Sequence, residues 1–395
     1  MRVTVCVNGT FRYPDYIRHY AEAGALGCFH FAHRRGRDAA ALGLRPGQSH
    51  NVWPKHYLHG AAFRAAPGGL RTILGQGLCD AWQAAVLRRW QPCDSLEVVI
   101  GAVADRVIAR ARRDGTPVLG HPVTSHPTRF RDQVDRARDD LGLKPEPRAR
   151  DDAERRAAEI AGCDLILADS RAVARSFTEA GIAEHRVAVL RPGFDAARFH
   201  PRAPSDIDRT RFLVVCIGLI TPRKGQHVLL RAWRRLALPN AELVLIGTPG
   251  RDAGAVLVDC PPGVTRLGHV EHSRLRRILA RASCLVLPSA EDGFGQAALE
   301  AMACGVPVIV SDAVGAAELV RPGRSGFVVP ALQVEPLMAA LERLYRDRAL
   351  AVAMGQAAAV DAAAASFGWP AYVGEVLALH RGLIDRAGRP YGEAA

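Results

Sequence analysis

At 395 residues, with 49% hydrophobic and 23% charged side chains, the chain is too long for one ordinary core and too apolar to stay disordered, so two domains of roughly 200 residues are expected. The net charge is +12, and since Lys55, Lys144 and Lys224 are the only lysines, the excess is almost all arginine. A compositional bias accounts for that excess, and so would an anionic partner such as nucleotide phosphates or an acidic membrane surface. No block of five like charges and no basic motif with interleaved aromatics points to nucleic acid.

From the N-terminus, "RVTVCV" reads as a first strand rather than a signal peptide, because its apolar run is short and no small-residue cleavage site follows. A loop with Asn8, Gly9 and Thr10 comes next. Residues 34–92 show no clear period and read as an insertion or as a set of loops and helices on the first domain. "TPVLG", "CDLILAD" and "HRVAVL" are further strands of the first half. In the second half the strands are "RFLVVCIG", "AELVLIG", "SCLVLPS", "VPVIVSD" and "GFVVPA". Helical stretches at 102–113, 153–161, 226–236 and 274–282 lie between them. This alternation implies βαβ units and parallel sheets, and the near-continuous apolar strands fit sheets covered on both faces. The proline-rich "HPRAPSDID" at 200–208 is the expected boundary. The alanine-rich stretch 349–366 is interrupted by Gly355, Gln356 and Asp361 and reads as a soluble helix, not a membrane span. An aromatic-anchored helix is expected from about 367. The nine cysteines include no C-x-x-C pair and several lie in strand-like runs, so they read as buried thiols in a reducing compartment.

The most informative stretch is "LVLPSAEDGFGQAALEAMACGVPVIV", residues 285–310. A strand ends at Pro288, a loop carries Asp292-Gly293-Phe294-Gly295, and a helix starts near Gln296 and stops at Gly305, with Pro307 beyond. Exposed N–H groups and the positive helix end suit a phosphate, while glycines that serve only a βαβ turn would look the same. Glu300 lies about one turn into the helix, on the side facing the loop.

This stretch resembles the signature of glycosyltransferase family 4, whose members have the GT-B fold. There an acidic residue opens the loop and a glutamate follows eight positions later, as Asp292 and Glu300 do here. The family usually has Glu where this chain has Asp292, and Glu291 precedes it. The resemblance implies that Glu300 accepts the ribose hydroxyls of a nucleotide. It also implies that Asp292 or Glu291 contacts the donor sugar, and that Gly293, Phe294 and Gly295 give backbone N–H groups. "CIGLITPRKGQHVLLRAW" resembles the family's first strand and loop of the second domain: Lys224 and Gly225 fit, Leu219 stands where an arginine is usual, and Arg223 is the candidate replacement. Lys224 suits a leaving diphosphate, although a solvated helix start would also place a lysine there. Gly247 and Gly250, the turn around Val270 and Glu271, Gly315 and Glu318, and Ser170, Gly193, Asp195 and Phe199 agree in order. The Phe367/Trp369/Tyr372 segment resembles a helix that crosses back to the first domain. The resemblance is strong over 150–385 and loose over 1–150.

His121 and His126 follow the strand "TPVLG", at the edge where α/β sheets place ligands. Family members often have a histidine there facing the reacting sugar, and "TSH" favours His126; a loop histidine capping backbone is the plainer alternative. Gly9 stands where the family has glycines approaching the diphosphate. Three patterns are set aside. Asp206 and Asp208 have metal-binding spacing but lie in the boundary. His30/His33 and His56/His59 lack further ligands. Asp151, Asp152 and Glu154 suit a helix dipole.

The expected architecture is α/β GT-B: residues 1–200 form an acceptor-binding Rossmann-like domain, 201–366 a nucleotide-sugar-binding one, and a helix at about 367–395 returns to the first. The implied activity is a retaining, metal-independent glycosyl transfer from a UDP- or GDP-sugar to a glycan, a lipid-linked glycan or a small metabolite. It needs no cofactor. The setting is cytoplasmic, with peripheral membrane contact suggested by Trp53, Lys55 and Tyr57. The alternatives are a nucleotide-sugar 2-epimerase of the same fold, or a silent binding protein.

Overall fold

The computed structural model describes every residue except 10–11, 33–38, 53–67, 102, 146–149, 202, 204–210, 259, 366–367 and 389–395, and the side chains of 68–73 and 150–152 are likewise left aside. Trp53, Lys55, Tyr57, His33, His56, His59, Asp206, Asp208, Phe367 and most of the 200–208 boundary therefore lie outside the described residues.

Two parallel sheets carry the fold. The first holds β1 (Val3–Val7), β2 (Leu26–Phe31), β3 (Ser49–Asn51), β4 (Ser95–Ile100), β5 (Val118–Pro122), β6 (Leu165–Ala168) and β7 (Val187–Val189), in the order β3-β2-β1-β4-β5-β6-β7. The second holds β8 (Phe212–Ile217), β9 (Ala241–Ile246), β10 (Val264–Leu267), β11 (Cys284–Leu287), β12 (Val308–Ser311) and β13 (Gly326–Val329), in the order β10-β9-β8-β11-β12-β13. Every described pairing within them is parallel. Both sheets reverse their winding beside their first strand, between β1 and β4 and between β8 and β11, which is where such sheets open a crevice at their carboxyl edges.

The helices, in chain order, are α1 (Tyr13–Glu22), α2 (Gly68–Leu87), α3 (Asp105–Arg113), α4 (Pro127–Asp139), α5 (Arg150–Gly162), α6 (Arg171–Glu179), α7 (Gln226–Leu236), α8 (Ala253–Leu257), α9 (His272–Arg281), α10 (Gln296–Ala303), α11 (Val334–Arg346), α12 (Arg348–Ala365) and α13 (Trp369–Arg386). The α/β GT-B architecture expected from the sequence is the one observed. None of the described helices is long and apolar enough to cross a membrane.

The central strands are buried on both faces, β1, β4, β5 and β6 throughout, which explains their near-continuous apolar runs. Strands β2 and β4 escape a reading by apolar runs. Gly27 and His30 interrupt the first, and a buried Glu97 interrupts the second. The expectation that 34–92 is an insertion needs correction, because residues 49–51 pair with β2 and extend the sheet. Their side chains are polar, as suits an edge.

Helix α13 starts with Pro370 in its first turn, a position where proline costs no hydrogen bond. It buries Trp369, Tyr372, Val373, Val376 and Leu377 in the core of the first sheet's layer. Trp369 stacks on Tyr16 of α1 at 5.2 Å between ring centroids. Its indole also fills the space over Gly193, where a Cβ would lie 2.3 Å from the ring. The nine cysteines are all free.

Candidate active site

The carboxyl-edge loops of the two sheets face each other and touch. Ser170 Oγ, after β6, donates to the Gly293 carbonyl at 2.8 Å. The backbone N–H of Arg171 donates to Glu318 Oε2 at 3.0 Å. Gln296 Nε2 reaches the Gly193 carbonyl at 3.2 Å. Gly293 itself lies so near the loop after β5 that a Cβ there would stand 2.4 Å from the Val123 carbonyl. Only glycine permits that approach.

On the second domain's side, Lys224 closes a short 3-10 turn, Pro222–Lys224, and Gly225 then turns the chain into α7 at φ +68°. The Lys224 ammonium pairs with Asp292 Oδ2, and its stem lies alongside Gly218. Asp292 is held by its backbone, whose N–H donates to Ala313 at 3.1 Å and whose carbonyl accepts from Gly315 at 3.0 Å. The acid that opens the signature loop and the lysine of the preceding loop thus form one ion pair, with each side chain about one-sixth exposed. Gly247 packs its backbone on the Gly218 loop, where a Cβ would meet the Gly218 carbonyl at 1.9 Å. Gly295 carries the chain into α10 at φ +82°, and Phe294 and Val270 point into the core of this domain.

Glu300 stands on α10, half-buried. Burial, reinforced by the negative charge of Asp15 on α1 and opposed by Arg198, pushes its carboxyl up to about 8.

Of the two acids offered for the sugar contact, Asp292 or Glu291, the second has both its oxygens engaged within the protein. Its side chain is fully buried, Oε1 accepts from Ser125 N and Oγ at 2.9 and 3.0 Å, and Oε2 accepts from Arg223 at 3.0 Å. Asp292, paired with Lys224, is the more exposed of the two acids. Arg223 also donates to the Glu291 carbonyl at 3.0 Å and lies 5.8 Å from the Phe130 ring centroid, so its charge is already balanced. Leu219 is exposed.

The two histidines part company. His121 is buried, with Nε2 2.9 Å from Asp169 Oδ1 and 3.3 Å from Arg12, and Nδ1 3.5 Å from the Tyr13 hydroxyl. It stands behind Arg12, which also pairs with Asp169. Burial opposes the charge on Asp169, but Arg12 and His121 together hold its carboxyl below the usual range. His126 is the N-cap of α4, its Nδ1 accepting from Thr128 N at 3.4 Å and its ring meeting Phe177 edge-on at 5.3 Å. Burial lowers its pKa. In this arrangement His126 does what a capping loop histidine does, and its described contacts are to Thr128, Ser176 and Phe177. Gly9 lies in the turn just after β1 and its carbonyl accepts from Ala32 N at 3.2 Å.

Arg12, Asp15 and Asp169 have no counterpart in the sequence motifs. Asp169 precedes the matched Ser170 and directly follows β6, which is the one signal that could have found it. Arg12 and Asp15 sit where the family resemblance is loose. Among the described residues no group of three or more His, Cys, Asp or Glu could hold a metal ion.

Residues 211–347 match the family described as "Glycosyl transferases group 1". The chain is 31% identical over 261 residues to a D-inositol 3-phosphate glycosyltransferase of Pseudarthrobacter chlorophenolicus, covering 62% of this chain and 61% of that one. It is 32% identical over 215 residues to a GDP-mannose-dependent monoacylated alpha-(1-6)-phosphatidylinositol monomannoside mannosyltransferase of Corynebacterium glutamicum, covering 49% and 56%. The chain thus spans about three-fifths of the length of the curated relatives it matches. Among solved structures, a sucrose-phosphate synthase from Thermosynechococcus elongatus superposes with a TM-score of 0.71 at 18% identity, over 98% of this chain and 100% of that one. HepE of Anabaena in complex with UDP-glucose does so with a TM-score of 0.68 at 17% identity, over 97% and 100%. The parallel sheets and the loops that meet between them agree with the GT-B fold of those solved structures, and residues 211–347 of the second domain are similar to the glycosyl transferases group 1 family.

Proposed function

We propose that the chain transfers a glycosyl group from a nucleotide-sugar donor to an acceptor, with retention of configuration and without a metal ion. The observation that carries this reading is the Lys224–Asp292 ion pair set beside Gly293 at the mouth of the cleft. A donor diphosphate entering there competes with Asp292 for Lys224, freeing the carboxylate to accept hydroxyls of the donor sugar. As the glycosidic bond breaks, charge grows on the diphosphate, and a preorganised cation at that place stabilises the transition state by roughly 3–4 kcal/mol. Arg223, adjacent in sequence, is the second candidate cation in place of the arginine missing at Leu219. Glu300 would accept the ribose hydroxyls, Gly293, Phe294 and Gly295 would offer backbone N–H groups, and the backbone near Val270 would border the base. His121 enters through Arg12 rather than by touching the sugar, and His126 serves only if it leaves its cap.

The donor is a UDP- or GDP-sugar: the HepE structure is a complex with UDP-glucose and the corynebacterial relative is named GDP-mannose-dependent. The acceptor is a glycan, a lipid-linked glycan or a small metabolite in a polysaccharide or glycoconjugate route, and the protein works in the cytoplasm, with peripheral contact at the inner membrane surface. Both relatives named above are transferases, which favours transfer over epimerisation. The test is a panel of UDP- and GDP-sugars assayed for donor hydrolysis and for transfer to mixed acceptors. Release of free nucleotide diphosphate with one donor is expected. Interconversion of the donor at C2 without nucleotide release would favour the epimerase, and binding without any turnover the silent protein.

A further inference from the structure

Helix α4 belongs to the first domain by chain order, since it follows β5, yet it is fastened to the second at both ends. At its start, the Ser125 N–H and hydroxyl both donate to Glu291, and Phe130 lies under Arg223. At its end, Arg138 pairs with Asp252, and Asp140 Oδ2 lies 2.6 Å from Arg231 and 3.1 Å from His227. Leu141, just beyond, packs on the cluster of Ile220, Ala253 and Val256. The 3-10 turn that presents Arg223 and Lys224 therefore lies against a helix of the opposite domain.

Glu291 is the buried centre of this seat. A carboxylate cut off from water costs several kcal/mol unless hydrogen bonds replace its hydration. Three side-chain or backbone donors do so here, two from Ser125 in the first domain and one from Arg223 in the second. Separating the domains removes both Ser125 donors and leaves Glu291 with Arg223 alone. The arrangement is thus favoured only when the first domain is seated, and the same carboxylate then fixes the Arg223 guanidinium.

We propose that Glu291 is a positioning residue that links the approach of the two domains to the placement of Arg223 and the signature loop, with Ser125 as its partner across the cleft. Glu291 touches no substrate in this role. It makes the phosphate-facing loop of the second domain complete only when α4 is docked. The kinetic part of this inference rests on the proposed transferase reading; the structural part does not.

The test uses the full chain with Glu291→Gln and, separately, Ser125→Ala. Solution X-ray scattering without ligand reports the separation of the domains, and hydrogen exchange reports the Ser125 amide. Both variants should show a larger radius of gyration, and Glu291→Gln faster exchange at Ser125. With the active donor, kcat should fall about tenfold while donor KM stays within about threefold, the scale of losing one hydrogen bond that matters only in the closed state. The double variant should be no worse than Glu291→Gln alone, because the two residues act as a pair. Unchanged scattering and exchange in both variants would overturn the proposal, as would a KM rise that accounts for the whole kinetic loss. If Glu291→Gln does not fold, Ser125→Ala carries the same measurements, since it alters only the first domain's side of the contact. Should the parent chain transfer no sugar from any donor, the functional reading falls while scattering and exchange still judge the link.

Discussion

The two domains wind their strands in the same order, but they keep their charged groups in different places. In the second domain the cleft-side acids and bases sit on loops and at a helix start: Lys224 and Asp292 pair at the edge of the crevice, and Glu300 stands one turn into α10. In the first domain the corresponding groups are sunk beneath the surface. Glu97, in the middle of β4, accepts from Tyr13 at 2.7 Å and Tyr20 at 2.5 Å and lies 3.3 Å from His380 of α13, which in turn contacts Ser95 at 2.8 Å. Burial works against that charge, but the hydrogen bond and charge of His380, with help from His121 and Tyr20, hold the Glu97 carboxyl below its usual range. His121 and Asp169 continue the array to Arg12 at the cleft. One domain keeps an ion pair at the crevice; the other uses its polar groups to hold its own helices. Exposed ion pairs are cheap to lose, whereas a buried carboxylate stripped of donors, or donors stripped of their carboxylate, are not.

This contrast can be broken by experiment. The largest effect expected is on stability: Glu97→Ala leaves Tyr13, Tyr20 and His380 without their acceptor and should cost roughly 3–5 kcal/mol, read by chemical denaturation. Nucleotide binding by the folded fraction should persist. A loss below about 1 kcal/mol would mean that water replaces the carboxylate.

Next comes Lys224→Ala, which should cut turnover by about a hundredfold to a thousandfold, the scale of removing one charge-stabilising donor. The thermal unfolding temperature should fall as well, though less than for Glu97→Ala, because the pair is only about one-sixth exposed and Asp292 is left without its cation. Unchanged turnover would remove the carrying observation of the proposed function.

A smaller effect concerns Glu300. Its pKa in the free protein is about 8, above the ordinary carboxyl value, so it holds a proton at neutral pH that the unfolded chain would release. Its contribution to stability is full below the ordinary carboxyl range and is lost as pH rises toward 8. Nucleotide binding that uses the carboxylate must displace the proton. Titration calorimetry with UDP or GDP near pH 7, in buffers of different ionisation enthalpy, should therefore show proton release that fades above pH 8, and Glu300→Gln should abolish it. Binding without proton exchange in the parent would separate Glu300 from the nucleotide. The smallest expected effect is none: EDTA should leave turnover unchanged, and restoration of a lost activity by Mg²⁺ or Mn²⁺ would reopen a metal-dependent reading.

The same contrast governs what could be read from the sequence. Strands β8, β9, β11, β12 and β13 announce themselves as apolar runs, and β11 and β12 are buried on both faces throughout. The strand–loop–helix around Asp292 is legible because its glycines meet a backbone constraint, as the approach of Gly293 to Val123 shows. Glu97 instead breaks an apolar run and hides β4, although it is fully buried. Its donors come from residues up to 283 positions away, and no local pattern encodes such a distance. Glu291 misleads for a similar reason. Next to Asp292 it looks like a second cleft acid, and only the position of Ser125 from another domain shows that its oxygens are taken. Arg12 has no motif because its place is set by Asp169 and His121, which three separate elements bring together.

The route of α13 has a consequence for synthesis on the ribosome. Trp369 covers Gly193 and stacks on Tyr16, and His380 reaches Glu97, so the first domain borrows its last layer from the end of the chain. At about 5–20 residues per second, the half made first waits for the other half to be translated before its core can close. The second domain has its whole sheet in hand earlier and can fold while the first is still open along one side. A chain stopped before Trp369 would therefore injure the domain made first, not the one at the break, leaving Tyr16 and Tyr20 uncovered and prone to aggregate.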